Sequence, residues 1–172
     1  TEELYPFELS GGMARRVLIS TAVMETPRLV IADEPTPGLD ARAAGRILGH
    51  FREIADAGAG MLLITHDLEL ALTIADRVVV FYAGETVEEA DAADFAAGRL
   101  RHPYTRALWR ALPQNGFMPI PGAQPYPGEI AGGCLFALRC PHCHPACRAA
   151  VPYREADGGR VRCLYPEEGG TP

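Results

Sequence analysis

Lysine is absent from the 172-residue sequence, in which all 16 basic residues are arginines. This absence excludes a phosphate-binding loop of the form G-x-x-x-x-G-K-[S/T] within these residues, because that loop needs a lysine to reach the phosphates. The sequence also lacks an apolar run of the roughly 20 residues that span a bilayer. It shows no secretory signal, since its acidic first residues are followed by no hydrophobic region. An initiator methionine is missing too, so we expect a fragment or a mature piece of a longer protein.

Net charge and cysteine content narrow the possible functions. The formal net charge of −6 argues against a nucleic-acid partner. Hydrophobic residues make up 48% and charged residues 22%, which is ordinary for a soluble globular protein. The cysteines are five in number and all lie near the carboxyl end: Cys134, Cys140, Cys143, Cys147 and Cys163. An odd number without a secretory signal favours metal binding over a disulfide framework.

Apolar runs alternate with helical patterns along the first hundred residues. Residues 28–33 and 61–67 are typical of strands buried on both faces, and residues 77–89 predict a hairpin that turns at Ala83-Gly84. Helices are predicted over 11–25, 41–57, 68–75, 91–98 and 103–111. This alternation predicts an α/β fold with a largely parallel sheet and with ligands at the carboxyl ends of its strands. The proline- and glycine-rich residues 113–133 predict an irregular linker.

Polar residues follow both predicted parallel strands. Asp33 and Glu34 end the first, and His66 ends the second. A carboxylate can hold Mg²⁺, and a neighbouring carboxylate can polarise an attacking water. The alternatives are a helix cap or a solvated loop for the carboxylates and a structural role for the histidine. Likewise, Ser10-Gly11-Gly12 at a predicted helix start indicates either a capped helix or an anion-binding site.

Four short stretches together resemble the motifs of ABC-transporter ATPases in order and spacing. They are LSGGM (9–13), LVIADEP (29–35), PGLD (37–40) and LLITHD (62–67), similar to the signature motif, Walker B, D-loop and switch histidine. The resemblance covers about residues 5–90. It implies that the chain binds ATP and Mg²⁺ and works as a pair of ATP-binding subunits.

The resemblance also implies individual roles. Ser10, Gly11 and Gly12 would contact the γ-phosphate of ATP held by the opposite subunit, and Asp40 would bridge the two subunits. Asp33 would serve Mg²⁺, Glu34 would be the general base, and His66 would sense the γ-phosphate.

The family's Walker A motif and Q-loop are missing from these residues. The chain therefore resembles the C-terminal half of an ABC-type P-loop ATPase domain, and we expect this piece alone neither to bind ATP tightly nor to hydrolyse it. Residues 1–27 would end the helical subdomain, 28–100 form the ATPase core, and 101–172 form an extension. Arg15 departs from the family's usual glutamine, and it is either a surface substitution or a change in nucleotide contacts.

The cysteine-rich tail is compatible with an iron–sulfur cluster, with structural zinc, or with free thiols or a labile disulfide. Residues 101–113 (RHPYTRALWRALP), 120–122 and the cysteine pattern resemble the C-terminal extension of peptide and nickel importers. This resemblance implies a [4Fe–4S] cluster on Cys134, Cys140, Cys147 and Cys163, with a structural role. Cys143 does not match that pattern: it is either a spare thiol or an alternative ligand, which keeps zinc as an alternative. His102, Tyr104 and Trp109 are expected to pack rather than to contact substrate.

The combined resemblance implies an ATP-binding subunit that energises import of peptides, nickel or metal chelates. Its partners would be a second ABC ATPase subunit, membrane permeases and, through them, an extracytoplasmic substrate-binding protein. It would lie on the cytoplasmic face of the membrane. Two alternatives are a soluble ABC ATPase outside transport, and a truncated product in which only the metal-binding tail is functional.

Overall fold

The computed structural model describes residues 4–126, 128–130, 132–156 and 158–166. The chain divides into two compact units, Thr1–Ile74 and Ala75–Pro172.

Among the described residues, the first unit contains a 3-10 turn (Pro6–Glu8), three α-helices and a two-stranded sheet. Its regular elements are α1 (Gly11–Val23), β1 (Leu29–Asp33), α2 (Ala41–Asp56), β2 (Gly60–Ile64) and α3 (Leu68–Leu72). Each helix begins at a polar side chain that accepts a backbone N–H: Ser10 for α1, Asp40 for α2 and Asp67 for α3. Strands β1 and β2 are parallel, with Asp33 opposite Ile64 at their carboxyl ends. The parallel pairing expected from the sequence is therefore confirmed for these two strands.

Helix α2 supplies most of the core of this unit. Its residues Ile47, Leu48 and Phe51 recur at helical spacing and pack with Ala32 of β1. The prediction that both faces of β1 are buried is wrong for the described residues. Val30 and Ala32 are buried, whereas Leu29 and Ile31, which point to the opposite face, are 58% and 60% exposed. The side chains alternate because successive residues of a strand point to opposite faces.

The second unit is built on an antiparallel sheet. Its regular elements are β3 (Arg77–Tyr82), β4 (Glu85–Asp91), α4 (Ala92–Ala96), α5 (Pro103–Arg110), β5 (Arg154–Ala156) and β6 (Gly159–Val161). The strand order is β3-β4-β6-β5. The predicted hairpin is present, and its turn residues Ala83 and Gly84 both have positive φ, 50° and 87°, as a tight two-residue turn requires.

Strand β4 joins the hairpin to the tail of the chain. It pairs with β6 from Glu88 opposite Val161 to Ala90 opposite Gly159. The tail strands β5 and β6 were not predicted, and the sheet is less parallel than expected, since these four strands are all antiparallel. Buried apolar side chains of hairpin, helices and tail form the core: Val80, Tyr82, Val87, Ala90, Phe95, Leu100, Phe136, Val151 and Val161.

Among the residues that the structure describes, none of the helices has the length and apolar character needed to cross a membrane.

Candidate functional site

Glu34 lies one residue beyond β1, beside the end of β2. Its backbone N–H donates to the carbonyl oxygen of Ile64 at 2.9 Å, which carries the parallel ladder one step past Asp33. Glu34 has a φ of 44°, in the left-handed region that non-glycine residues seldom adopt. Such backbone strain is concentrated at functional sites. The ladder therefore holds the Glu34 side chain next to the residues that follow β2.

The carboxylate of Glu34 and the imidazole of His66 are in direct contact. Glu34 Oε1 lies 2.8 Å from His66 Nδ1 and also accepts the backbone N–H of His66 at 3.1 Å. The hydrogen bond from His66 lowers the pKa of Glu34, and the same bond raises the pKa of His66. Both side chains are open to solvent, 38% and 80% exposed respectively. The two residues that the sequence singled out at separate strand ends thus form one ion pair.

Two more carboxylates lie near this pair in the sequence. Asp33 is the last residue of β1, and the chain turns from there to Asp40, where α2 begins. Asp40 accepts the backbone N–H of Ala43 at 2.8 Å, so it caps α2. Thr65, which no sequence motif singles out, also contacts the pair: its Oγ1 lies 3.5 Å from Glu34 Oε2 and accepts the backbone N–H of Asp67.

Helix α1 begins in an exposed position. Ser10 and Gly11 are exposed, and Ser10 Oγ accepts the backbone N–H of Met13 at 3.3 Å. A side chain added at Gly11 would meet nothing within 4 Å, whereas one at Gly12 would meet Leu39 at 3.4 Å. The start of this helix therefore leaves backbone N–H groups accessible, with the loop before α2 close on one side.

Arg15 links α1 to that loop. Its Nη1 donates to the carbonyl oxygens of Pro37 at 2.6 Å and Pro35 at 3.2 Å. The two contacts span the segment between the strand end and the cap of α2. These contacts belong to neither interpretation left open for Arg15: the guanidinium holds the loop against the helix.

All five cysteines line one cavity of the second unit, and all five are free thiols. Burial raises the pKa of Cys134, Cys140 and Cys163, the last to about 11, and neighbouring thiols add to each shift. Cys147 is buried, whereas Cys143 is exposed. Within the described part of the chain, no three histidine, cysteine, aspartate or glutamate side chains converge closely enough to hold a single metal ion.

Backbone contacts bring the ends of this cysteine segment together. Cys134 N–H donates to the carbonyl oxygen of Cys147 at 2.8 Å. The residue before it, Gly133, has a φ of 75°, and a Cβ there would lie 2.7 Å from the same carbonyl oxygen. Only glycine fits such an approach without a shift of the backbone. Arg139 fixes the middle of the segment, because its guanidinium donates to the carbonyl oxygens of Ile120 and Pro121.

A buried carboxylate anchors the start of α5 beside the cavity. Glu88 is 1% exposed, and its two oxygens accept the backbone N–H groups of Arg101 at 2.9 Å and His102 at 2.8 Å. Burial raises the pKa of Glu88. Burial also lowers the pKa of His102 to about 4. His102 and Tyr104 pack against Phe136 of the extension, and Tyr104 also packs against Tyr82 of β3. The expected packing against the ATPase body is therefore seen for Tyr104.

Known proteins match nearly all of this chain. Residues 2–37 match the ABC transporter family, and residues 87–147 match the C-terminal region of the oligopeptide/dipeptide transporter family. The dipeptide transport ATP-binding protein of Escherichia coli is 41% identical over 99% of this chain and 54% of its own length. The oligopeptide transport ATP-binding proteins of E. coli and Bacillus subtilis are 38% and 40% identical, each over 96% of this chain, with 51% and 53% of their own lengths covered. The chain thus spans about half the length of these relatives.

Proposed function

Because the chain belongs to the ABC transporter ATP-binding family, in its oligopeptide/dipeptide branch, we propose that it is part of a subunit that binds and hydrolyses ATP to energise peptide import. The observation that carries this proposal is the contact of Glu34 with His66 at the carboxyl ends of two parallel strands. It lies in a chain whose residues 2–37 match the ABC transporter family and whose residues 87–147 match the C-terminal region of the oligopeptide/dipeptide transporter family. Relatives named for dipeptides and oligopeptides support peptides as the cargo, and nothing in these matches supports nickel.

Glu34 is the residue we assign to proton transfer. A carboxylate can accept a proton from an attacking water at the oxygen it presents, and the His66 contact lowers the pKa of Glu34, which keeps that carboxylate ionised. His66 orients the carboxylate through Oε1 and is itself 80% exposed, so its ring is accessible to a nucleotide phosphate. Asp33, at the end of β1, is the residue we assign to Mg²⁺, which prefers carboxylate oxygen and neutralises phosphate charge when bound.

The start of α1 is proposed to act on a second subunit. Ser10, Gly11 and Gly12 leave N–H groups exposed at the amino end of a 13-residue helix, where an anion is favoured by both hydrogen bonding and the helix dipole. We assign them to the γ-phosphate of ATP bound by a partner ATP-binding subunit, and Asp40 to the contact between subunits. The other proposed partners are membrane permeases and an extracytoplasmic substrate-binding protein, so the chain would lie on the cytoplasmic face of the membrane.

For the cysteine tail we propose an iron–sulfur cluster held by Cys134, Cys140, Cys147 and Cys163. The five thiols line one cavity, which suits a thiolate-bound group. Structural zinc needs four ligands, each about 2.0–2.3 Å from one ion, and the described side chains do not converge in that way. A four-iron cluster takes each thiolate at a different iron, so its ligands lie further apart. The cluster would supply a structural clamp, and Cys143, the exposed thiol, is not needed.

The transport proposal can be tested with a hybrid protein. The matching segment of the E. coli dipeptide transport ATP-binding protein is replaced by residues 1–172, and dipeptide uptake is measured in cells that lack the native subunit. We expect uptake with the hybrid and none with its Glu34→Gln variant at equal abundance. A well-folded hybrid that supports no uptake, or equal uptake by both proteins, would contradict the proposal.

The cluster proposal has its own test. After anaerobic reconstitution with iron and sulfide, the chain should bind four irons and show visible charge-transfer absorption. Cys147→Ser should lose both, whereas Cys143→Ser should keep both. Stoichiometric zinc in place of iron, or equal losses in the two variants, would contradict the assignment.

A further inference from the structure

His102 carries a hydrogen-bond donor with a defined orientation. Its Nδ1 accepts the backbone N–H of Tyr104 at 3.0 Å and thereby caps α5. A nitrogen that accepts a hydrogen bond holds a lone pair, so the proton of the neutral ring is on the other nitrogen, Nε2. Nε2–H is therefore a donor.

This donor has no partner in the described structure. His102 is 1% exposed, and Nε2 is a buried atom without a hydrogen bond. A buried donor left unsatisfied costs about 1–3 kcal/mol, so such an atom calls for a ligand or another acceptor. His102 lines the cavity that the five cysteines line, and the cavity is the place where an acceptor can lie.

The ring is held in this position from several sides. The backbone N–H of His102 is bound to the buried carboxylate of Glu88 at 2.8 Å. The ring centroid lies 6.1 Å from that of Phe136, which is itself 1% exposed. With Nδ1 also engaged, the imidazole has little freedom to turn Nε2 elsewhere. The geometry is that of a donor positioned before its acceptor is bound.

We propose that His102 Nε2–H donates a hydrogen bond to a sulfur atom of the iron–sulfur cluster in the cysteine cavity, so that His102 tunes the reduction potential of this cluster. The inference rests on the cluster proposed above. Hydrogen bonds to cluster sulfurs are among the factors that set the potential. Reduction adds negative charge to the cluster, and an N–H donor stabilises that charge. The bond therefore makes the potential more positive than it would be without it.

Two substitutions separate this role from capping. His102→Asn places an amide oxygen near the position of Nδ1, so it keeps an acceptor for Tyr104 N–H but does not reach as far as Nε2. His102→Gln reaches the position of Nε2 with an amide N–H but gives up the cap. The measurement is the midpoint potential of the reconstituted 172-residue chain, by redox titration followed in the visible absorption. His50→Asn, an exposed histidine of α2, is the control.

We expect a more negative potential in His102→Asn, a potential near that of the unsubstituted chain in His102→Gln, and no shift in the control. An unchanged potential in His102→Asn overturns the inference, as does a shift in His102→Gln as large as that in His102→Asn. If the unsubstituted chain binds no cluster, the cluster proposal itself fails. This outcome is distinct from a bound cluster whose midpoint potential is unchanged by substitution of His102.

A second measurement needs no folded variant. Pulsed electron paramagnetic resonance of the reduced cluster, with isotopically labelled histidine in the unsubstituted chain, should show a weak coupling to an imidazole nitrogen. Its absence overturns the inference even if the His102 variants do not fold.

Discussion

Removal of the Glu88 carboxylate should destabilise the second unit strongly. Glu88→Ala removes the acceptors of the buried His102 N–H, at 2.8 Å, and of the half-buried Arg101 N–H, at 2.9 Å. Each unsatisfied buried donor costs about 1–3 kcal/mol, so the free energy of unfolding should fall by roughly 2–6 kcal/mol. The contact also fixes the entry of the chain into α5, so the loss should be accompanied by fraying at the start of that helix.

The assay can follow Trp109, which is the sole tryptophan of the sequence and lies in α5. Urea unfolding monitored by its fluorescence reports on the second unit. Glu85→Ala is the matched control, because Glu85 lies on the same strand and forms a more exposed ion pair with Arg162 at 2.7 Å. Exposed ion pairs contribute less than about 1 kcal/mol. A loss for Glu88→Ala no larger than that of the control would refute the reasoning.

The contribution of Glu88 to the free energy of unfolding should depend on pH in a definite direction. Burial raises the pKa of Glu88 above its ordinary 4.5, so the folded protein binds this proton more tightly than the unfolded chain. Protonation of Glu88 therefore adds its full contribution to the free energy of unfolding below pH 4.5. This contribution is lost as the pH rises through the raised pKa of Glu88 in the folded protein. As the pH rises through that window, the unfolding free energy of the unsubstituted chain should fall relative to that of Glu88→Gln. A rise relative to Glu88→Gln would contradict the assigned direction.

Three further outcomes are expected. Nuclear magnetic resonance titration should place the pKa of His66 above 6.5. Glu34→Gln should lower the pKa of His66, whereas Glu53→Gln should leave it unchanged. Both partners should be charged only between the lowered pKa of Glu34 and the raised pKa of His66. Arg15→Ala should speed amide hydrogen exchange of Thr36 and Leu39, in the loop that Arg15 contacts, roughly 5-fold, since two hydrogen bonds of a half-buried arginine contribute about 1 kcal/mol together. Arg16→Ala should leave this exchange unchanged. The 172-residue chain alone should neither bind ATP tightly nor hydrolyse it, and turnover by the purified chain would contradict this expectation.

The sequence alone predicts that Glu34 and His66 lie at the carboxyl ends of two strands. Apolar runs indicate β1 and β2, and parallel pairing brings the two ends to the same edge of the sheet. The contact itself, through His66 Nδ1 and Glu34 Oε1, depends on the positive φ of Glu34, which no pattern of residue types predicts. Arg15 departs from the family motif, but its hydrogen bonds to the loop carbonyls depend on the fold.

The tail was harder to predict because its order comes from long-range contacts. Strands β5 and β6 have three residues each and show no alternation, and they form because β6 pairs with β4. Glu88 reads as an ordinary charged residue within a run of acidic side chains, although it is fully buried. The cysteine spacing indicates a shared site. That His102 Nε2 is buried without a hydrogen-bond partner depends on the packing of α5 and could not be predicted from the sequence.

The most direct test of the catalytic assignment is the rate of ATP hydrolysis by the purified hybrid in which residues 1–172 replace the matching segment of the E. coli relative. Removal of a general base usually lowers a rate by about 100-fold or more, so the account predicts at least that loss for Glu34→Gln, with nucleotide binding retained. Hydrolysis by Glu34→Gln at a rate near that of the unsubstituted hybrid would contradict it.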